Sequence, residues 1–417
     1  MTSIKLSICI PTYNRAPHLR RCFEWLQADC RFDFPFEIIV ADNASTDDTK
    51  DVVQEAIDRG MPVRYCRAYQ NTGMIPNMVG AFHLGRGDYL VYLADDDRLV
   101  GDRIAEIVKY LDERPALNVC YAPMYIYDDA TDTNLRKFFE VDEEIKAFPQ
   151  GAFSEVFNFI YNSHAFPEMG VYRNTALRSC WVPREGAFYA FSILAHFVDQ
   201  GQIVIMREPF YRQVIQSTIG RDRPQGGHDL AESAWDLYRG GLEYFLHLGT
   251  KRGKISALPD QKVIQEQMCR AFTLQRMAVA MRLLMQRREY LKVYEIYTRM
   301  VYGGFADHPQ VKDLQQMLPV AAALQTLAYQ LNFAAGVQRL VLSGFPDPSV
   351  IKDRLGQVRL NSHIEVITTE PTYLSAEDLD HTAVLVSIPA QRQRFVDLGY
   401  LPNLVFSQQD LVQTIVM

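Results

Sequence analysis

The sequence has no run of eighteen apolar residues, and Met1 to Lys5 lead into the first strand without a basic segment or an apolar signal stretch. Neither a membrane span nor export by a standard signal is expected, so the cytoplasm is the expected location, with attachment to the inner face of the membrane left open. Positive charge is also in short supply: 43 Lys and Arg stand against 50 Asp and Glu, a net charge of -7, and nothing in that balance suggests nucleic acid. The seven cysteines, at 9, 22, 30, 66, 120, 180 and 269, include no close pair with metal-knuckle spacing, so reduced core thiols are expected. What is present is an ordinary globular composition, 48% apolar and 22% charged, in 417 residues, enough for two or three domains.

One stretch stands out, Gly87-Asp88-Tyr89-Leu90-Val91-Tyr92-Leu93-Ala94-Asp95-Asp96-Asp97. Leu90 to Leu93 reads as a strand covered on both faces, because large side chains follow one another without a polar alternation. The three carboxylates at its end concentrate negative charge at the mouth of a sheet, tolerable only beside water, basic groups or a cation. Hard oxygen ligands favour Mg2+ or Mn2+, ions that proteins commonly hold together with substrate phosphates. An N-cap and a solvated turn would explain an isolated Asp-Asp-Asp equally well.

The preceding residues alternate strand and helix. Leu6 to Ile10 reads as a strand that Pro11-Thr12-Tyr13-Asn14-Arg15 ends, and His18 to Ala28 as a helix. Phe36 to Ala41 is a strand running into Asp42-Asn43-Ala44-Ser45-Thr46-Asp47, followed by a helix over Asp51 to Arg59. Val63 to Cys66 is a short strand, and Asn71-Thr72-Gly73 precedes a helix over Pro76 to Leu84. Such alternation predicts a parallel α/β sheet, whose ligands bind beyond the carboxyl ends of the strands. Thr12, Asn14, Asp42 and Asp95 to Asp97 all fall at that edge, although Ser45 and Thr49 are equally suited to capping.

In order and spacing, Pro11-Thr12-Tyr13-Asn14-Arg15, Asp42-Asn43-Ala44-Ser45-Thr46-Asp47, Asn71-Thr72-Gly73 and Asp95-Asp96-Asp97 resemble the nucleotide-binding half of a family 2 glycosyltransferase of the GT-A fold. The resemblance implies a nucleotide site drawing on Pro11, Thr12, Asn14, Arg15, Asp42, Asn71, Asp95 and Asp96. Within it Thr12 would lie near base and ribose, and Asp42 would accept the imide N–H of a uracil or thymine. Mn2+ or Mg2+ would be held by the acidic triplet. Asp97 is the expected direct ligand, and Asp95 would hold a water or the ribose beside it, because alternate residues of an extended segment face alike.

The family usually places a Glu-Asp pair at a helix entrance ahead of a glycine equivalent to Gly201. Here that position is Tyr189-Ala190. Glu185, in the loop before the helix, is the expected replacement as proton acceptor, with Glu168 of Pro167-Glu168-Met169-Gly170 as the second choice and His164 or His196 behind them. Arg212, Arg221 and Arg223 are candidates to neutralise a departing diphosphate.

From Leu230 to Tyr302 the pattern is helical, and residues 251–300 hold eleven Lys or Arg against four acids, a helical bundle with a solvated basic face or a dock for anionic lipid. After a helix over Val320 to Asn332, strands and helices alternate again on the scale of a small Rossmann-like module. Gly344-Phe345-Pro346 and Ser387-Ile388-Pro389 lack the Gly-x-Gly-x-x-Gly loop of dinucleotide sites. The expected fold class is therefore α/β: a GT-A domain over 1–225, a helical domain over 226–335 and a Rossmann-like α/β domain over 336–417. The resemblance implies an inverting transferase moving sugar from a nucleoside diphosphate, UDP favoured, to a glycan or lipid-linked acceptor in surface polysaccharide synthesis. Alternatives are a weakly active or inactive homologue serving as a nucleotide-sugar or carbohydrate-binding scaffold and, less well supported, a sugar nucleotidyltransferase. Peripheral membrane contact and homo-oligomerisation are left open.

Overall fold

The computed structural model describes residues 3–183, 186–217, 219, 234–369, 375–413 and 415. The chain divides into two compact units, Met1–Thr273 and Leu274–Met417.

The first unit is built on an eight-stranded sheet. Its first half is wound as the alternation predicts: β1 (Leu6–Thr12), α1 (Ala16–Asp29), β2 (Phe36–Asp42), α2 (Thr49–Asp58), β3 (Val63–Arg67), α3 (Met74–Leu84) and β4 (Tyr89–Tyr92). These four strands are parallel, in the order β3-β2-β1-β4. Pro11 does not stop β1, which runs on through Thr12 opposite Asp42. Proline is tolerated because β4 pairs with β1 only as far as Cys9, so the missing N–H lies beyond the end of that partner. Alternate residues feed two cores. Leu6, Ile8, Ile10, Ile38 and Val40 pack under α1 and α2, while Cys9, Ile39 and Leu90 face Phe82 of α3. Each large aliphatic side chain buried this way contributes about 1.5–3 kcal/mol.

The second half of the sheet is mixed. After α4 (Gly101–Asp112) come β6 (Leu117–Tyr121), β7 (Tyr125–Asp128), β8 (Thr133–Lys137), β9 (Ile145–Phe148) and α5 (Phe153–Ser163). Next follow β10 (Gly170–Arg173), α6 (Asn174–Arg178), α7 (Tyr189–Gln200), β11 (Gln202–Met206) and β12 (Tyr211–Gln216). Strand β10 inserts antiparallel between β4 and β6, with Val171 opposite Val91 and Tyr172 opposite Leu90. Arg98–Leu99 is a short strand, β5, which pairs antiparallel with Arg212 and Tyr211. Strand β12 belongs with it to a second sheet, of order β5-β12-β7-β8. The acidic triplet thus sits where the chain passes from one sheet to the other. Helix α8 (Trp235–Lys251) adds Leu242, Phe245 and Leu248 to the core beneath α7.

Helix α9 (Pro259–Gln286) carries the chain from the first unit into the second. There α10 (Tyr290–Tyr302), α11 (Pro309–Lys312) and α12 (Met317–Phe333) precede a sheet of four parallel strands. Its elements are β13 (Arg339–Ser343), α13 (Pro348–Gln357), β14 (Glu365–Ile367), α14 (Ala376–Asp380), β15 (Thr382–Val386), α15 (Arg392–Asp397), β16 (Val405–Ser407) and α16 (Gln408–Gln413), in the order β14-β13-β15-β16. Leu340, Leu342 and Leu385 face α12, while Val341, Val384 and Val386 face Phe395 and Tyr400. The Rossmann-like architecture is therefore present at the expected scale.

Candidate active site

The carboxyl ends of β1, β2 and β4 converge on one edge, and there the side chains are buried and charged. Asp95, Asp96 and Asp97 are only 5%, 9% and 7% exposed. They do not form the extended segment the sequence suggested: the Asp97 N–H donates to the Ala94 carbonyl at 3.2 Å, closing a turn. In a turn, alternate residues no longer face alike, so Asp95 and Asp97 part company. The Thr12 hydroxyl donates to Asp95 Oδ2 at 2.6 Å, and the Arg15 guanidinium lies 3.1 Å from Asp95 Oδ1 while also pairing with Asp96. Asp97 turns toward β12, taking the Tyr211 hydroxyl on Oδ2 at 2.8 Å and the Val214 N–H on Oδ1 at 2.9 Å. Tyr211 also accepts the Ala94 N–H at 3.0 Å and so pins both ends of the turn.

Asp42 is 1% exposed. Its Oδ1 accepts the Ser45 N–H at 2.8 Å, and its Oδ2 takes the Tyr65 hydroxyl at 2.5 Å with the Arg67 guanidinium 3.4 Å away. The carboxylate therefore shapes the Asp42–Asp47 loop and is held from β3 by Tyr65 and Arg67. Asn14, at a φ of 52°, donates its N–H to Ser45 Oγ and accepts the Thr46 N–H, tying the β1 loop to the β2 loop. Asn71 accepts from the Asn43 amide at 2.8 Å and from the Gly73 N–H at 2.9 Å. Gly73 itself sits at a φ of 91°, where a side chain would be strained.

Glu168 reaches the same edge from the other side. It precedes β10 in a turn, its N–H donating to the Phe166 carbonyl at 2.8 Å, and its charge acts on Tyr92 of β4 together with those of the triplet. Its carboxylate accepts the Tyr189 hydroxyl at 2.5 Å. Tyr189 is the residue found where the family would carry an acid, so this position supports a carboxylate from the segment before β10. Burial raises the Glu168 pKa above the ordinary carboxylate value, and the Tyr189 hydrogen bond offsets part of that rise. The Tyr92 phenol, at the end of β4, is pushed far up by burial and then by the charges of Asp97, Asp96, Glu168 and Asp95. The same phenol lies in one electrostatic neighbourhood with both acidic groups.

Glu185, Arg221 and Arg223 lie outside the described residues. Arg212 donates to Asn134 at 3.1 Å. His196 is half-buried and bonds the Tyr244 hydroxyl at 2.9 Å, with its pKa lowered by burial, while Asp199 pairs with Arg252 at 2.8 Å at the end of α7. His164 ends α5 in the left-handed region and packs on Phe272. Sequence reasoning missed Tyr211, Tyr65 and Arg67, and singled out Tyr189 only as the residue standing where an acid was expected. Only Arg67 left a usable signal, since β2 and β3 end together with Asp42 opposite it.

The sequence profile described as "Glycosyl transferase family 2" matches residues 7–180. That stretch is a family 2 glycosyltransferase domain. The glycosyltransferase domain, with the strands that complete it, has the GT-A fold. Abequosyltransferase RfbV of Salmonella typhimurium is 33% identical over 116 residues, 28% of this chain and 35% of that protein. GalNAc(5)-diNAcBac-PP-undecaprenol beta-1,3-glucosyltransferase of Campylobacter jejuni is 31% identical over 111 residues, 26% of this chain and 35% of that protein. The match spans about a third of the length of these relatives. Among solved structures, the mannosyltransferase PcManGT from Pyrobaculum calidifontis, in complex with GDP-Man and Mn2+, overlaps 78% of this chain and 87% of its own at 15% identity and a TM-score of 0.43.

Among the described residues no group of three or more His, Cys, Asp or Glu side chains is set to hold a metal ion by itself. Mg2+ and Mn2+ sites at phosphates need fewer, commonly one or two carboxylates with the substrate completing the shell. Asp95 and Asp97 each offer hard oxygens of that kind, Asp95 beside Thr12 and Asp97 beside Tyr211 and Val214. No helix of the described residues is long and apolar enough to cross a membrane.

Proposed function

We propose that this chain is an inverting glycosyltransferase that moves a sugar from a nucleoside diphosphate, UDP favoured, to a hydroxyl of a glycan or lipid-linked acceptor. The reading is carried by two sets of carboxylates around Tyr92 of a family 2 domain, the acidic triplet and Glu168, the latter held by the Tyr189 hydroxyl. Glu168 takes the proton from the acceptor hydroxyl. The freed oxygen attacks the anomeric carbon on the face opposite the diphosphate, and the bond to the diphosphate breaks with its electron pair leaving on phosphate oxygen. Tyr189 orients Glu168, and burial keeps that carboxylate basic enough to accept a proton. Thr12 and Arg15 fix Asp95 and Asp96 on the donor side, and the Asp42 loop with Asn14 and Asn71 shapes the ground where base and ribose would rest. A divalent cation held by Asp97 and Asp95 would supply neutralisation of the diphosphate's charge.

Calorimetry with UDP, dTDP, GDP and CDP, each with Mn2+ and with chelator, tests the donor half. Tight binding of one uridine or thymidine diphosphate that chelator abolishes is expected, and no metal-dependent binding of any of the four would refute it. Glu168→Gln against Glu185→Gln in a transfer assay assigns the proton acceptor: loss in the first alone is expected.

A further inference from the structure

We propose that a recess at the carboxyl edge of the second unit's sheet binds one uncharged glycosyl unit. Ligands of parallel α/β sheets sit at that edge. There β13 ends at Ser343, β15 is followed by Ser387 and β16 ends at Ser407. The recess measures about 290 Å3 and is lined by Ser387, Gln408, Gln409 and Val412. That is the small end of the range for ligand clefts, suited to a single ring rather than a dinucleotide.

Gly344, directly after β13, has a φ of 75°, and a Cβ there would stand 2.5 Å from Gln391 Oε1 and 2.6 Å from Ser387 Oγ. Glycine thus lets two polar side chains close on the strand end that a larger residue would hold apart. Gln391 itself is not among the residues lining the recess, and it bears on the site only through the strand end it shares with Ser387.

The chemistry of the lining selects the class. Hydroxyls and amides both donate and accept, matching adjacent sugar hydroxyls, and Val412 offers an apolar surface to the C–H face of a ring. Among the described residues no cation lines the recess. Arg392, beside Gln391, is 3.6 Å from Asp410 and donates to the Pro402 carbonyl, so it is engaged elsewhere. A phosphate would find no partner of opposite charge. Choosing a glycosyl unit among neutral ligands rests on the glycosyltransferase reading of the first unit.

The test uses the full chain and ligand-observed NMR with methyl glycosides of glucose, galactose, mannose, rhamnose and N-acetylglucosamine, and with inorganic phosphate and NAD as charged probes. At least one glycoside should bind, and Ser387→Ala and Gln408→Ala should each weaken it about tenfold, the scale of one lost hydrogen bond. UDP affinity should be unchanged in these two variants, and glycoside affinity unchanged in Asp97→Asn. Loss of UDP binding in the wild-type chain with glycoside binding intact would sink the donor-site reading and leave this one standing. The proposal is overturned if no glycoside binds, if folded Ser387→Ala and Gln408→Ala both bind as tightly as wild type, or if the recess variants lose phosphate or NAD binding instead.

Discussion

In the first unit the parallel strands β1, β2 and β4 lead into Thr12, Asp42 and an acidic turn. In the second, β13, β15 and β16 lead into Ser343, Ser387 and Ser407. The architecture offers the same kind of edge twice, since α/β winding leaves the strand ends open to a ligand in each. What differs is the side chains placed there, and with them the cost of building the edge. Buried carboxylates need donors, and the first unit supplies them from distant elements: Tyr211 and Val214 for Asp97, Thr12 and Arg15 for Asp95. Serines and glutamines need no such neutralisation. The fold therefore chooses where a ligand goes, and the strand-end residues choose its charge. The first edge should answer to metal and pH, and the second to neither.

The sharpest break in that comparison is expected at Glu168. Glu168→Gln keeps the shape of the side chain but cannot accept a proton, and general-base catalysis is worth about a hundredfold to ten-thousandfold. Turnover should fall within that range while the dissociation constant for the nucleotide stays put. Near-normal turnover would move the role to another residue, Glu185 first. Next in size is Asp97→Asn, which should weaken the metal component of nucleotide binding at least about tenfold, as calorimetry with and without Mn2+ would read. Equal loss in the presence of chelator would make Asp97 a structural residue.

Asp42 comes third, because its carboxylate already has three partners in its own unit. Asp42→Asn exchanges one acceptor for a donor facing Tyr65 or Ser45 and should cost about 1–3 kcal/mol of stability in urea unfolding. Unchanged stability together with weakened nucleotide binding would show that the base, rather than the loop, is what Asp42 serves.

These residues also mark how far the sequence could be read. The apolar run ending in Asp95-Asp96-Asp97 predicted its own strand and edge because both signals are local. The first half of the sheet followed from alternation, and so did the Rossmann-like end of the chain. The antiparallel entry of β10 did not, since pairing with β4 depends on contacts some eighty residues apart that leave no periodicity. For the same reason Tyr211 could not be foreseen as the partner of Asp97 across 114 positions. Glu185 was preferred for its place in the loop before the helix and lies outside the described residues, whereas the bond from Tyr189 to Glu168 spans twenty-one positions and leaves no mark in local sequence.

The smallest expected effect concerns the pair that fills the family's helix-entrance position. Glu168 must be ionised to accept a proton, and burial has raised its pKa, so turnover should fall as pH drops through a value above the ordinary carboxylate range. The Tyr189 hydroxyl stabilises the ionised form and pulls that value part of the way back. Tyr189→Phe removes the donor while preserving the ring, so the pKa should climb further and the acid limb of the rate profile should move to higher pH. One unit corresponds to 1.36 kcal/mol, close to the lower end for a hydrogen bond to a charged group, so a displacement of about one unit is expected. Above the limb the carboxylate is ionised in both proteins and the plateau rates should agree within a few-fold. A limb that stays in place would mean that some other group titrates there. A plateau that collapses would mean that Tyr189 touches the substrate rather than acting through Glu168. Glycoside binding by the second unit, measured in the same variant over the same pH range, should remain flat, because none of the side chains lining its recess titrates there.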